Sequence, residues 1–153
     1  MADQRINGVL AGSPFRVQLA ETGEDVGRIV SLPPAGLEGL ADAVLNSEAA
    51  IEVDEVSHAI VTFRQRNATR EHRRSAIVAL ARVLENHRSL LEHHLMSGDE
   101  GALFHIANKF DLRHKAVNQQ GDYDDAFLDW IFYWYLGTVQ LIQRLLDRPG
   151  STL

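Results

Sequence analysis

The chain has 153 residues, of which 45% are hydrophobic and 24% charged, as is typical of one globular domain with a continuous core. It contains no cysteine, which excludes disulfide bonds, thiolate metal sites and a cysteine nucleophile. The net charge of −6 argues against non-specific binding to nucleic acid. Ten of the 15 basic residues nevertheless fall within residues 61–120, which leaves room for one local phosphate-binding face.

The two ends of the chain carry no signal for export or membrane insertion. The first residues lack the apolar core of a signal peptide. The longest apolar-rich stretch, Phe127 to Leu146, is interrupted by polar residues, namely Asp129, Gln140, Gln143 and Arg144. A span needs about 20 mostly apolar residues, so this stretch predicts a buried helix. We therefore expect a cytoplasmic protein that does not enter the membrane.

Residues 1–34 are predicted to form a small β-hairpin or an extended arm. Two apolar runs, Phe15–Leu19 and Val26–Val30, flank the turn-forming residues of Glu21–Asp25. Pro33 and Pro34 end this region, because proline lacks an amide donor and restricts the residue before it.

The chain that follows shows helical periodicity. Apolar spacing predicts a helix over Leu37–Ala50 and favours another over Ile51–Phe63, where β-branched residues also suit a strand. Thr69 is the predicted N-cap of a helix of about 27 residues that ends at Ser97-Gly98. A shorter helix is predicted over Gly101–Phe110.

The last predicted helix begins at Asp122–Asp125, where carboxylates favour the positive end of the helix dipole, and runs to about Asp147. Apolar residues from Phe127 to Leu136 surround almost the whole helix, so it is either central or part of an oligomer interface.

The predicted fold class is mainly α. A helical bundle covers residues 35–148, the hairpin or arm precedes it, and residues 149–153 form a disordered tail.

The densest polar run, His105–Gln120, lies between two predicted helices and is the first candidate site. Arg113 offers a fork of donors for phosphate, and the adjacent His114 can transfer a proton near neutral pH. The predicted ligand-binding residues beside this catalytic pair are Lys109, Asn118 and Gln119. The alternative is a continuous helix, in which His114 faces the core and Arg113 pairs with an acid.

A second candidate is a basic patch formed by Arg66, Arg70 and Arg73, which share one helical face if the helix begins early enough. Such a patch can bind phosphates, although a solvated helix start gives the same pattern.

Arg88 interrupts an apolar stripe and needs a buried partner or an exit to solvent, which makes it a candidate for the polar site of Arg113. The histidine spacing matches no metal motif, and there is no phosphate-cradling loop, so neither metal nor cofactor is expected.

Several motifs carry a resemblance to a group of uncharacterised bacterial helical proteins, over roughly residues 64–146. The motifs are Leu103-Phe104-x-Ile-Ala-Asn108-x-Phe110, Arg113-His114, Asp122-Tyr-Asp124 and Trp130-x-Phe-Tyr133.

A more distant resemblance is to HEPN domains, helical bundles of prokaryotic defence and toxin–antitoxin systems. Arg113-His114 with Lys115 and Asn118 resembles the first half of their ribonuclease motif. The resemblance implies a homodimer and metal-independent binding or cleavage of RNA. Where a second histidine would follow, this chain has Asn118, Gln119 and Gln120, whose amides bind phosphate but cannot act as general acid or base.

Two functions therefore stand as hypotheses. The favoured one is a non-catalytic interaction protein, an accessory, immunity or antitoxin-like subunit of a bacterial defence or stress system. Its partner, a protein or a second copy of the chain, would bind the Phe127–Leu136 helix. The alternative is a HEPN-like protein that binds RNA or a nucleotide, and cleaves RNA only if His114 alone supplies the chemistry. This alternative predicts that the wild type, and not an Arg113→Ala variant, binds or cleaves total RNA in EDTA; an inert wild type would exclude it.

Overall fold

The computed structural model describes residues 2–96, 98–109 and 124–150, with the side chains of Glu100 and residues 107–109 left aside. Over these ranges the chain forms seven α-helices and one two-stranded antiparallel sheet. The mainly α fold class with a small N-terminal hairpin is therefore confirmed. Of the predicted tail, Pro149 and Gly150 form a turn, and residues 151–153 lie outside the described residues.

The N-terminal region holds one helix that the sequence did not predict. Helix α1 (Ala2–Leu10) precedes strands β1 (Val17–Leu19) and β2 (Ile29–Ser31), which pair antiparallel. Asn7 joins α1 to the hairpin, since its side chain accepts from the Leu19 amide at 2.6 Å and donates to the Leu19 carbonyl at 3.2 Å. Ala2, Ile6, Val9 and Leu10 have helical spacing, but none of the residues of α1 is buried in the structure.

The six remaining helices are α2 (Leu40–Leu45), α3 (Val53–Arg64), α4 (Arg70–Asn86), α5 (Arg88–His94), α6 (Asp99–Lys109) and α7 (Asp125–Leu146). Helix α3 confirms the helical alternative for residues 51–63. The helix predicted over Leu37–Ala50 is much shorter, because Gly39 caps its start and Asn46 ends it.

Two of the predicted helix starts are confirmed by their caps. The Thr69 hydroxyl accepts from the His72 amide at 3.2 Å, and the His72 ring in turn meets the Thr69 amide, which completes a capping box. The Asp124 carboxylate accepts from the Ala126 amide at 2.8 Å at the start of α7.

The single long helix predicted after Thr69 is wrong, because it is broken at His87 into α4 and α5. The His87 amide donates to the Leu84 carbonyl at 3.1 Å, a tighter turn than the α-helical pattern. Its ring nitrogen Nε2 lies 2.9 Å from Glu52 Oε2, and the neighbouring Asn86 amide donates to Glu52 at 3.2 Å. A tertiary contact with the start of α3 thus overrides the local helical pattern.

The core is built around α7, whose inward face is fully buried between α2, α4 and α6. Helix α4 packs against both α3 and α7. Phe63 of α3 stacks on Phe132 of α7 with ring centroids 3.8 Å apart. The Tyr135 hydroxyl donates to the Leu103 carbonyl at 2.8 Å, and the Gln143 amide donates to the Val44 carbonyl at 3.0 Å. Of the two alternatives for the last helix, the central position is therefore confirmed, and the oligomer interface stays a prediction.

A buried ion pair fastens the hairpin to this core. Arg64, the last residue of α3, is 8% exposed, and Asp25, in the connection between the two strands, is 2% exposed. Arg64 Nε donates to Asp25 Oδ2 at 2.7 Å, and Arg64 Nη2 donates to both Asp25 Oδ1 and the Thr22 carbonyl, the latter at 2.6 Å. The guanidinium therefore satisfies a side chain and the backbone of the same turn.

Glycine at position 23 is required by this close approach. Gly23 has φ +89, and a Cβ there would lie 3.1 Å from both Arg64 Nη2 and Leu45 Cδ1. Gly27 has a similar φ of +80, but a Cβ there would meet nothing within 4 Å.

We predict that Gly23→Ala destabilises the protein more than Gly27→Ala does. Both variants incur the strain of a left-handed backbone, about 1 kcal/mol, and only the first also displaces the Arg64 guanidinium, for a total of about 2–3 kcal/mol. Urea denaturation followed by circular dichroism measures both. An equal decrease in the free energy of unfolding of the two variants would show that the turn does not depend on the approach of Arg64.

Candidate functional site

The first candidate site of the sequence lies almost entirely outside the described residues. This applies to Arg113, His114, Asn118 and Gln119. Lys109 ends helix α6, and its side chain is also outside them. Catalysis or phosphate binding by these residues stays a prediction.

Arg88 has the exit to solvent that its position in the apolar stripe calls for, and its two carboxylate partners are themselves partly exposed. It is half-exposed at the start of α5, and its guanidinium donates to Glu85 and Glu92 at 3.2 Å each. The same group lies 4.7 Å from the ring centre of Phe104, a cation–π distance. These contacts account for a charge beside the core, and a contact with Arg113 lies outside the described residues.

The three arginines of the predicted basic patch do not lie on one helix face, because α4 begins only at Arg70. Arg66 lies before the cap, and its guanidinium is 5.9 Å from the ring centre of Phe15. Arg70 donates to Asp125 at 3.1 Å, and Arg73 donates to Asp129 at 3.2 Å. Arg70 and Arg73 thus join α4 to the first turns of α7.

An open groove of about 940 Å³ lies between the hairpin, the connection after β2 and the exposed face of α7. We call it the aromatic groove. Its lining residues are Arg16, Ser31, Leu32, Pro34, Leu37, Arg73, Ala126, Asp129, Trp130, Tyr133 and Trp134. The lining is mostly apolar with a few charged groups, and the volume is within the range of about 300–1,000 Å³ that ligand sites occupy.

One wall of the aromatic groove is a ridge of indole rings. Trp130 and Trp134 are one helical turn apart on α7, and their rings are stacked with centroids 5.5 Å apart and planes 20° apart. Trp130 is 51% exposed, although a side chain of this size is usually well covered. Tyr133 is fixed behind the ridge by edge contacts with Phe63 and Phe132. The ridge is therefore a rigid apolar surface open to solvent.

Two ionisable groups of the groove have perturbed pKa values. Burial raises the pKa of Asp129, against the opposing effect of the Arg73 guanidinium, while Asp125 raises it further and Arg16 lowers it. Burial, reinforced by the Asp129 charge, raises the pKa of Tyr133 to about 12. The Tyr133 phenol accordingly stays protonated and neutral at physiological pH.

Asp129 and Tyr133 are the acidic side chains among the described lining residues of the groove. The lining includes no histidine, and the Asp129 carboxylate is already held by Arg73 at 3.2 Å. General acid–base work needs a group free to exchange a proton with the ligand near the working pH. Burial moves the pKa of Tyr133 further from the physiological range.

The sequence indicates some residues of this groove but not that they lie close together. Arg73 was assigned to the basic patch, and Trp130 to an interface helix. Arg16 and Pro34 were not singled out as site residues, because they approach α7 only through tertiary folding. The signal available in the sequence is that apolar residues surround almost the whole of the Phe127–Leu136 helix, more than one buried face uses.

Over residues 2–96, 98–109 and 124–150, no cluster of three or more metal-ligating side chains occurs. None of the helices within those ranges combines the length and hydropathy that crossing a bilayer requires.

Comparison with protein-family models, curated proteins and solved structures found no match to this chain. The resemblances drawn from the sequence, including the HEPN-like one, therefore stay predictions.

Proposed function

We propose that this chain is a non-catalytic interaction protein that binds a protein partner in the aromatic groove. The single observation that carries the proposal is the half-exposed indole of Trp130 on the wall of a groove of about 940 Å³. An accessory, immunity or antitoxin-like subunit of a bacterial defence or stress system would use such a surface.

The composition of the groove supports a protein interface. Tryptophan, tyrosine and arginine are the residues that most often dominate binding energy, and the groove contains all three. The apolar surface continues beyond it, since Phe127 on the preceding turn of α7 is 46% exposed. Covering such rings releases ordered water and contributes roughly 25 cal/mol for each Å² of apolar surface.

The rigidity of the groove also supports binding. Trp130 is stacked on Trp134, and Asp129 is tied to α4 by Arg73. A preformed surface loses little conformational entropy when a partner docks. The stacked tryptophans and Asp129 all lie on α7, the central helix of the core.

No contact of the described residues favours RNA over a protein partner. Arg70 and Arg73 form ion pairs with Asp125 and Asp129, so a phosphate would have to displace a carboxylate at each. The RNA hypothesis depends on Arg113 and His114, which lie outside the described residues.

We predict that Trp130→Ala abolishes or strongly weakens association with the partner. Removal of a central aromatic contact costs about 2 kcal/mol or more, which corresponds to roughly 30-fold weaker binding. Size-exclusion chromatography with light scattering, on the protein alone and with the products of neighbouring genes, measures association.

Val9→Ala is the matched control, because Val9 is 78% exposed on α1 and does not line the groove. Circular dichroism checks that both variants remain folded. A wild type that is strictly monomeric and binds no neighbouring product would contradict the proposal, as would full association by Trp130→Ala.

A further inference from the structure

Of the two arginines in the aromatic groove, Arg16 has the fewer hydrogen bonds and ion pairs to the rest of the described chain. Its Nη2 donates to the Pro33 carbonyl at 3.2 Å, and this is one of the five N–H groups of a guanidinium. No carboxylate of the described residues lies within ion-pair distance of it. The residue is exposed at the rim of the groove. Arg16 is thus placed to donate to a group that arrives from solution.

Arg73, the second cation of the groove, is placed differently. It donates to Asp129 at 3.2 Å, and its guanidinium lies 5.3 Å from the ring centre of Phe63. These contacts stabilise the packing of α4 on α3 and α7. Arg73 thus forms the direct ion pair with Asp129, on which Arg16 acts only from a longer distance, and the two arginines give the groove one more positive than negative charge.

The sign of that charge is opposite to that of the chain. Two arginines and one aspartate line the groove, whereas the whole protein carries a net charge of −6. Two further acids lie near the groove. Asp125 acts on Asp129 but is itself paired with Arg70. The pKa of Glu38 is lowered mainly by backbone hydrogen bonds at Glu38 and Gly36, and the Arg16 guanidinium adds to that lowering. Glu38 is fully exposed, so water and salt screen its effect on a ligand inside the groove.

We propose that the partner docks an acidic segment in the aromatic groove, with an aromatic residue directly beside a carboxylate. The aromatic ring packs on Trp130, and the carboxylate accepts from the unused donors of Arg16. Charge complementarity selects this occupant, because a basic segment would meet the unpaired Arg16 and an uncharged one would leave its donors unused. The inference rests on the proposed function and specifies the chemistry of the partner.

The two tryptophans provide a built-in probe, because the chain contains only Trp130 and Trp134 and both line the groove. Their emission is recorded during titration with three blocked peptides, acetyl-Gly-Phe-Glu-Phe-Gly-amide and its Gln and Lys analogues. Phenylacetate serves as a small aromatic anion in a fourth titration. The proteins compared are the wild type, Arg16→Gln and Arg82→Gln.

We expect the Glu peptide to bind the wild type about fivefold more tightly than the Gln peptide, with the Lys peptide weakest. Arg16→Gln removes the difference between the Glu and Gln peptides. Arg82→Gln makes the same change in net charge but preserves the difference in affinity between the Glu and Gln peptides. Arg82 is exposed and pairs with Glu55, away from the groove. Circular dichroism confirms that each variant is folded.

Several results would overturn the inference. These are equal affinity of the Glu and Gln peptides for the wild type, an equal loss in Arg82→Gln and Arg16→Gln, or no emission change with any peptide up to about 10 mM. Phenylacetate that binds as tightly as the Glu peptide would assign the groove to a small aromatic anion. If association with the partner still depends on Trp130 in these cases, the proposed function stands and only the partner chemistry is wrong.

Discussion

The arrangement of the molecule depends on the buried ion pair between Arg64 and Asp25. Two charges this well buried are costly to desolvate, and removal of one partner from such a pair typically costs about 3–5 kcal/mol. Arg64 offsets that cost by donating also to the Thr22 carbonyl, and Gly23 leaves the space for its guanidinium. A second contact, from the Thr22 hydroxyl to Asp42, joins the same turn to α2. The hairpin, which is too small to be stable alone, is thereby held on the helical core.

The aromatic groove is a consequence of that attachment. One wall comes from α7, and the opposite wall comes from the hairpin and the connection after it, with Arg16, Ser31 and Pro34. These two parts are more than 90 residues apart along the chain. Without the hairpin, the indole of Trp130 would be an exposed apolar ridge instead of the side of a cleft. Stability and binding are therefore linked through the attachment of the hairpin, in which the Arg64–Asp25 pair is the buried ionic contact.

The sequence predicted the local features of the fold and missed those that arise from distant contacts. Thr69 was recognised because a cap is encoded within four residues, and the hairpin because its strands are close in sequence. The break at His87 was missed because His87 contacts Glu52, the N-cap residue of α3, which is distant in the sequence. For the same reason the sequence does not reveal that folding buries Arg64 against Asp25. The candidate site could not be predicted for the same reason. Its lining residues come from both ends of the chain and form no continuous motif in the sequence.

The dependence of the groove on the buried pair is tested most directly by tryptophan accessibility in an Asp25→Asn variant. Acrylamide, a neutral quencher, reports how far Trp130 and Trp134 are exposed in the native protein. The account predicts that Asp25→Asn keeps the helical circular dichroism of the wild type and shows clearly stronger quenching, because the hairpin no longer covers the indoles. Glu55→Gln, which breaks the more exposed pair with Arg82, should quench like the wild type. Unchanged quenching in folded Asp25→Asn would contradict the claim that the ion pair holds the groove together.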